Sequence, residues 1–339
     1  MNGKASNNRN LDSLRQVETL TFKDWWHLLT RYTSVVESKD TIRTALRIMA
    51  HRGFRHLPVV NDGDLGGVVS AGDLIDTFVA GEERGNNLMS LLNTRVSAIA
   101  NDNPVTIKPS HTILDAIRII GQKNIGSLLI VEDEDFHGTD DEIAIKVSSN
   151  PTIQEKKLDG KLVGIVTLRD IVSVLAAYSP FGVRIEDCMT DRVATADQKD
   201  SILSAMTLMS KEKVRRLPVV RSSKNGPSGI SVQGMVTNKM ILRYLESILS
   251  YEMLDVSHAI KQPVKTVMQS SMPLIDPKED CGNAAYLMRE LGTGGFAVVD
   301  SRGLVGVITE RDLIRRIYEK EGYSFFSELF EKGNARMQA

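Results

Sequence analysis

Apolar and small side chains recur in this chain at one helical spacing, in four segments that align without a gap. They are Ile42, Ala45, Leu46 and Met49; Ile113, Ala116, Ile117 and Ile120; Ile202, Ala205, Met206 and Met209; and Cys281, Ala284, Ala285 and Met288. Positions i, i+3, i+4 and i+7 share one helical face, so each segment predicts a helix with a single buried stripe. The alanines let that helix approach a sheet closely. A short apolar run follows each helix: LPVV (57–60), LLIV (128–131), LPVV (217–220) and FAVV (296–299). Four residues, largely β-branched and bounded by turn signals, fit a buried strand. A turn then leads to a second strand ending in GVVS (67–70), GIVT (164–167), GMVT (234–237) or GVIT (306–309), and a second helical pattern begins at once. Short extended segments such as PVTI (104–107) and RVATA (192–196) precede the first helices. The unit is β-α-β-β-α, four times over, an α/β (α+β) architecture.

The four copies differ in a way that pairs them. The first and third carry basic residues before the apolar strand, Arg55-His56 and Arg215-Arg216, whereas the second and fourth carry Gly126-Ser127 and Gly294-Gly295. This alternation predicts a duplicated two-repeat unit, with repeats at 22–79, 98–178, 185–247 and 263–320. Residues 1–21 read as a disordered extension and 321–339 as a tail. FKDWWHLL (22–29) reads as a short helix, and the amphipathic GYSFFSELFEK (322–332) as a segment that docks on the fourth repeat or on a partner. An insertion at 132–160 opens strongly acidic and includes EIAIKVS, which has strand character. It is too long for a structureless connection within a compact domain.

Composition removes several function classes. A net charge of −1 argues against a chain built throughout to grip nucleic acid or an anionic membrane. No apolar run approaches the ~20 residues needed to span a bilayer. The N-terminal segment lacks an apolar signal core, so a cytoplasmic location is the expectation. The two cysteines, Cys188 and Cys281, lie far apart in sequence, and no Cys or His pair has zinc-ligand spacing. No nucleophile–base pair or Walker-type loop is evident, so neither a catalytic residue nor a metal site is assigned and the expectation is a non-enzyme.

The chemistry-bearing positions follow the tetrads: GVVSAGD (67–73), GIVTLRD (164–170), GMVTNKM (234–240) and GVITERD (306–312). A Ser or Thr with an acid three residues on is a capping box, which accounts for Ser70/Asp73, Thr167/Asp170 and Thr309/Asp312 without any ligand. A helix N-terminus at the end of a strand is also a site for anions and polar ligands, and a carboxylate there accepts both hydroxyls of a ribose. Both roles are compatible, since a carboxylate has two oxygens.

The strand followed by GxxTxxD resembles the CBS domain family, and the resemblance extends over residues 22–320. It implies repeats that pair through their sheets into two Bateman modules, similar in architecture to the gamma subunit of AMP-activated protein kinase. It implies clefts that take AMP, ADP, ATP, S-adenosylmethionine or related molecules. Carried over, Asp73, Asp170 and Asp312 are ribose acceptors, and Ser70, Thr167, Thr237 and Thr309 are hydroxyl partners. Met240 replaces the acid in the third copy and cannot accept from a diol. Phosphate contacts fall on Arg55, His56, Arg215 and Arg216, with Arg169 and Arg311 beside them. Adenine contacts fall on Ser34, Val35, Val105, Thr106, Ala194, Thr195, Pro273 and Leu274, for which core packing is the equal alternative.

The expectation is therefore a regulatory sensor that requires no cofactor and binds an adenine nucleotide or S-adenosylmethionine-like molecule as a regulatory ligand. It would signal to an effector protein that the sequence does not identify, and a homodimer is left open. The competing reading is an interaction or nucleic-acid-binding scaffold whose clefts are structural. Arginines 43, 47, 52 and 55 around the first helix favour it, and the lack of stacking aromatics opposes it.

Overall fold

The structure is a computed structural model, and it describes residues 21–22, 34–131, 145–147, 154–156, 162–221, 231–250, 256–322 and 324–338. The expected helix at 22–29, the disordered extension and most of the acidic insertion lie outside the described residues.

The first repeat comprises β1 (Val36–Glu37), α1 (Ile42–Arg52), β2 (His56–Asn61), β3 (Asp64–Ser70) and α2 (Ala71–Glu83), with α3 (Leu88–Leu92) leading onward. The second comprises β4 (Thr106–Ile107), α4 (Ile113–Lys123), β5 (Ser127–Val131), an excursion carrying β6 (Ile145–Val147) and β7 (Gln154–Lys156), then β8 (Leu162–Thr167) and α5 (Leu168–Leu175). The third is introduced by α6 (Ile185–Cys188) and contains β9 (Ala196–Asp197), α7 (Ile202–Glu212), β10 (Arg216–Arg221), β11 (Ser231–Thr237) and α8 (Asn238–Ser250). The fourth follows α9 (Val256–Ala259) with β12 (Leu274–Ile275), α10 (Cys281–Glu290), β13 (Gly295–Asp300), β14 (Gly303–Thr309) and α11 (Glu310–Glu321), and α12 (Ser324–Gln338) comes last.

Each repeat folds a three-stranded sheet in which a two-residue strand pairs parallel to the middle strand, and the third strand pairs antiparallel. The leading strands are shorter than the extended segments in the sequence. Val105 and Ala194 sit ahead of the paired residues, and the Val105 carbonyl still accepts the Leu129 N–H at 3.2 Å. A bulge falls at the same place in all four middle strands, at Val59/Val60, Ile130/Val131, Val219/Val220 and Val298/Val299. Within the insertion, EIAIKVS contributes β6, which pairs antiparallel with β7.

Every repeat packs its sheet on one neighbour and its helices on another. The sheets of repeats one and two pack through Val35, Val60, Leu129, Leu162 and Ile165, and β11 packs on β14. Consecutive repeats thus form two sheet-joined pairs. Across the pairs, α1 packs on α8 and α2 on α7, while α5 packs on α10 and α4 on α11. The apolar stripes read from sequence end up in these helical layers: Ile42, Leu46, Met206 and Met209 in one core, Ile117, Ile120, Ala284 and Met288 in the other. Helix α12 closes the second core with Phe326, Leu329 and Phe330, its Phe330 ring edge-on to Tyr178 at 4.8 Å. The terminal segment therefore docks on the chain itself, against repeats two and four.

The first glycine of the tetrad has a steric reason. A crossing segment bridges the strand at Val68↔Asn101, Met235↔Gln269 and Thr190↔Val307. A Cβ at Gly234 would lie 2.4 Å from the Gln269 carbonyl oxygen, and one at Gly67 would lie 2.6 Å from that of Asn101. Gly234→Ala should cost about 1–3 kcal/mol, the usual range for overpacking against backbone. Denaturant unfolding measures it, and an unchanged midpoint would mean that the 269 segment yields freely.

Candidate functional site

Among the described residues, three cavities open at the basic edges of the repeats. The first, about 280 Å³, is lined from repeat one by Ser34, Phe54, Arg55 and His56, and from repeat two by Thr167, Arg169 and Asp170. The second, about 350 Å³, joins Ala194 and Arg215 of repeat three to Thr309, Arg311 and Asp312 of repeat four. The third, about 340 Å³, joins Thr237 and Met240 to Pro273 and Gly294. Each cavity thus takes its tetrad hydroxyl from one repeat and its leading-strand wall from the sheet-paired neighbour. Ser70 and Asp73 line none of these three.

The acids all cap their helices. Asp170 Oδ2 accepts the Thr167 backbone N–H at 2.7 Å and its hydroxyl at 2.7 Å. Asp312 Oδ2 accepts the same pair from Thr309 at 2.9 and 2.6 Å, and Asp73 Oδ2 accepts the Ser70 N–H at 2.7 Å. The capping account and a ligand role separate at the other oxygen. Oδ1 of Asp170 accepts nothing among the described residues. Oδ1 of Asp312 accepts the Thr190 hydroxyl at 3.2 Å. Burial pushes the carboxyls of Asp170, Asp312 and Asp73 above their ordinary value, against the lowering effect of these hydrogen bonds. In the third repeat, Thr237 still caps, accepting the Met240 N–H at 3.3 Å, with no acid to answer it.

The basic edges converge. Arg55 lines all three cavities, Arg169 lines the first and third, and Arg215 and Arg216 line the second and third. At their centre stands Glu310, 3% exposed. Its Oε2 accepts Arg55 Nη2 at 2.6 Å and its Oε1 accepts Arg169 Nε at 3.1 Å. Burial alone would raise this carboxyl, but Arg55, Arg169 and Arg216 outweigh it and hold Glu310 below its usual value. Burial, Arg311 and Arg55 in turn push Arg215 down to about 9, and burial is the main force pushing Arg216 down to about 10. Both guanidinium groups remain charged at neutral pH. His56 differs: burial, then Arg215 and Arg55, drive its imidazole well below 6.5. It therefore lines the first cavity as a neutral imidazole, whose one N–H can still donate to a phosphate.

The alternation of basic and small residues is explained by these arginines. A Cβ at Gly126 would lie 2.5 Å from Arg215 Nη2, and one at Gly294 would lie 2.6 Å from Arg216 Nη2. The even repeats are small where the third repeat's guanidinium groups must fit.

The eight adenine positions do not share one environment. Ser34, Ala194 and Pro273 line cavities. The Val35 side chain is fully buried between two sheets, Val105 packs against the second core, and Leu274 is 48% exposed. Thr106 and Thr195 line none of the three cavities. Glu310 and Thr190 escaped sequence reasoning. A Glu at the first position of a helix reads as a solvated partner of the helix dipole, and Thr190 lies far in sequence from the acid it reaches.

Among the described residues no group of three or more His, Cys, Asp or Glu is placed to hold a metal ion, and no helix is long and apolar enough to cross a membrane. A CBS domain model matches residues 27–80, 96–139, 185–247 and 264–319. An uncharacterized 33.4 kDa protein in the ribosomal RNA operon of Thermofilum pendens is 29% identical over 307 residues, 86% of this chain and 90% of that one. Protein MJ1225 of Methanocaldococcus jannaschii is 24% identical over 288 residues, 81% of this chain and 91% of that one. Its crystal structure, described as that of a suggested archaeal homolog of g-AMPK, superposes with a TM-score of 0.68 at 23% identity over 84% of this chain and 96% of that one. A match to inosine-5'-monophosphate dehydrogenase of Nitrosopumilus maritimus spans 50% of this chain and 27% of that enzyme.

Proposed function

The chain belongs to the CBS domain family, and from that premise we propose that it is a non-catalytic regulatory protein that binds an adenine nucleotide or a related adenosyl ligand between paired repeats. One observation carries the reading: Asp170 is fixed by its helix cap through Oδ2, its Oδ1 accepts nothing among the described residues, and the residue lines a cavity together with Ser34, Arg55 and Arg169. Oδ1 accepts the ribose hydroxyls, the Ser34 edge meets the base, and the guanidinium groups meet phosphate. Ligand binding between two repeats biases their relative packing, and an effector protein reads that bias. No metal or other cofactor is needed for such a cycle.

Calorimetry with AMP, ADP, ATP, NAD and S-adenosylmethionine tests the reading. Saturable binding of at least one is expected, and no binding up to millimolar concentration would sink it. The Asp312 cleft is the weaker one, because a ribose there must displace the Thr190 hydroxyl. Thr190→Ala should strengthen the weaker nucleotide site by about tenfold, given ~1.5 kcal/mol at the low end for a hydrogen bond to a carboxylate. A weaker site that loses affinity in this variant would make Thr190 a ligand contact instead.

A further inference from the structure

The cavity at Met240 has the framework of the other two and a different chemistry. Thr237 stands at its helix N-terminus and Pro273 forms its leading-strand wall. Where the first two cavities present Asp170 or Asp312, this one presents a thioether. Its lining includes six cationic side chains, Arg55, Arg169, Arg215, Arg216, Lys239 and Arg243, and no carboxylate. Glu310 balances the first two from behind, and Arg243 donates to the Ala50 carbonyl at 3.2 Å. For the guanidinium groups of Arg215 and Arg216 there is no hydrogen-bond or ion-pair partner among the described residues. Lys239 is held below its ordinary value by burial first and then by Arg243, Arg169 and Arg55. The lining also includes apolar side chains: Met235, Met240, Met272, Pro273 and Leu291. Leu291 is 55% exposed, so the lining reaches solvent at that residue.

We infer that the Met240 cleft is a separate binding site for a compact anion, a phosphomonoester above all, carried on an apolar body that lacks a vicinal diol. The anionic end neutralises Arg215 and Arg216 in a crowded, poorly hydrated setting, where charge-assisted hydrogen bonds are strongest. Planar guanidinium forks suit a phosphate. The body covers methionine and leucine surface, which adapts readily to varied shapes. A ribose finds no acceptor at position 240, so selection runs against nucleosides and toward alkyl or aryl phosphates. The inference does not rest on nucleotide binding in the other two clefts.

The test uses the full chain with methyl-labelled methionine and phenyl phosphate as the probe, followed by NMR. The Met240 and Met272 methyl signals are expected to shift saturably, while Met206, buried in the helical core, stays in place and reports the fold. Phenyl phosphate should bind at least about tenfold more tightly than inorganic phosphate, from the apolar area its ring covers. Met240→Leu should retain the Met272 response, and Met240→Asp should abolish it with the Met206 signal unmoved. Equal affinity for phosphate and phenyl phosphate, no shift at Met240 and Met272, or an undiminished response in Met240→Asp would each overturn the proposal. A failure of every adenosine ligand to bind would leave these results untouched.

Discussion

Asp170→Ala is expected to weaken nucleotide binding at the stronger site by about ten- to a hundredfold. The figure follows from ~1.5–3 kcal/mol for hydrogen bonds to an ionised acceptor. The free Oδ1 is the reason this site should lead, and Asp312→Ala should cost less because its Oδ1 already serves Thr190. Loss of the cap also costs about 0.5–2 kcal/mol of stability, so calorimetry must be paired with an unfolding curve. Asp170→Asn separates the two effects, since an amide oxygen can still accept the Thr167 N–H. Acidity acts in the same direction. Burial raises the Asp170 carboxyl above 3.8, so it takes up its proton earlier than an ordinary aspartate and affinity falls as pH drops through that raised value. Its effect on stability has the opposite sign, because the folded state binds this proton more readily than the unfolded chain. Unchanged affinity in both alanine variants would assign these carboxylates to capping alone.

Glu310→Gln is expected to lower stability by about 3 kcal/mol and to raise affinity for phosphate-bearing ligands in the Asp170 cleft. Removing one member of a buried ion pair leaves the other charge uncompensated, which costs ~3–5 kcal/mol when both are buried. The lower end applies here, since the Arg169 side chain is 40% exposed and screened by solvent. The same substitution frees Arg55 and Arg169 for a ligand. The pH sense follows from Glu310 titrating below its usual value. Its stabilising contribution is fully present above about 4.5 and disappears as pH falls through the lower folded value. Denaturant titration reads the first effect and calorimetry the second. A variant with unchanged stability and unchanged affinity would make Glu310 a bystander.

Local features of this protein were legible in the sequence, and the cross-pair contacts were not. The helical stripes, the middle strands and the tetrads each depend on residues within one repeat, and periodicity reports such patterns directly. The alternation of Arg215-Arg216 with Gly126 and Gly294 was visible as a pattern, but its steric cause needed the guanidinium groups in place. The packing of α1 on α8 and α4 on α11 left no signature, because an apolar stripe does not name its partner. Glu310 was hidden for the same reason: its arginines come from residues 55 and 169, on other repeats. The leading strands were overestimated because an extended backbone reads alike whether or not it joins a ladder.

Arg55 borders three cavities and is already engaged by Glu310. One guanidinium cannot give its full set of donors to several anions at once. Filling one cleft therefore raises the free energy of filling the next, and the binding curve should broaden, with a Hill coefficient below one. Because linkage is reciprocal, a ligand in any cleft reports on the others whatever its organic part. Under the proposed function, binding at this hub would then follow the total anion load of the surroundings, across a concentration range wider than identical independent sites would cover.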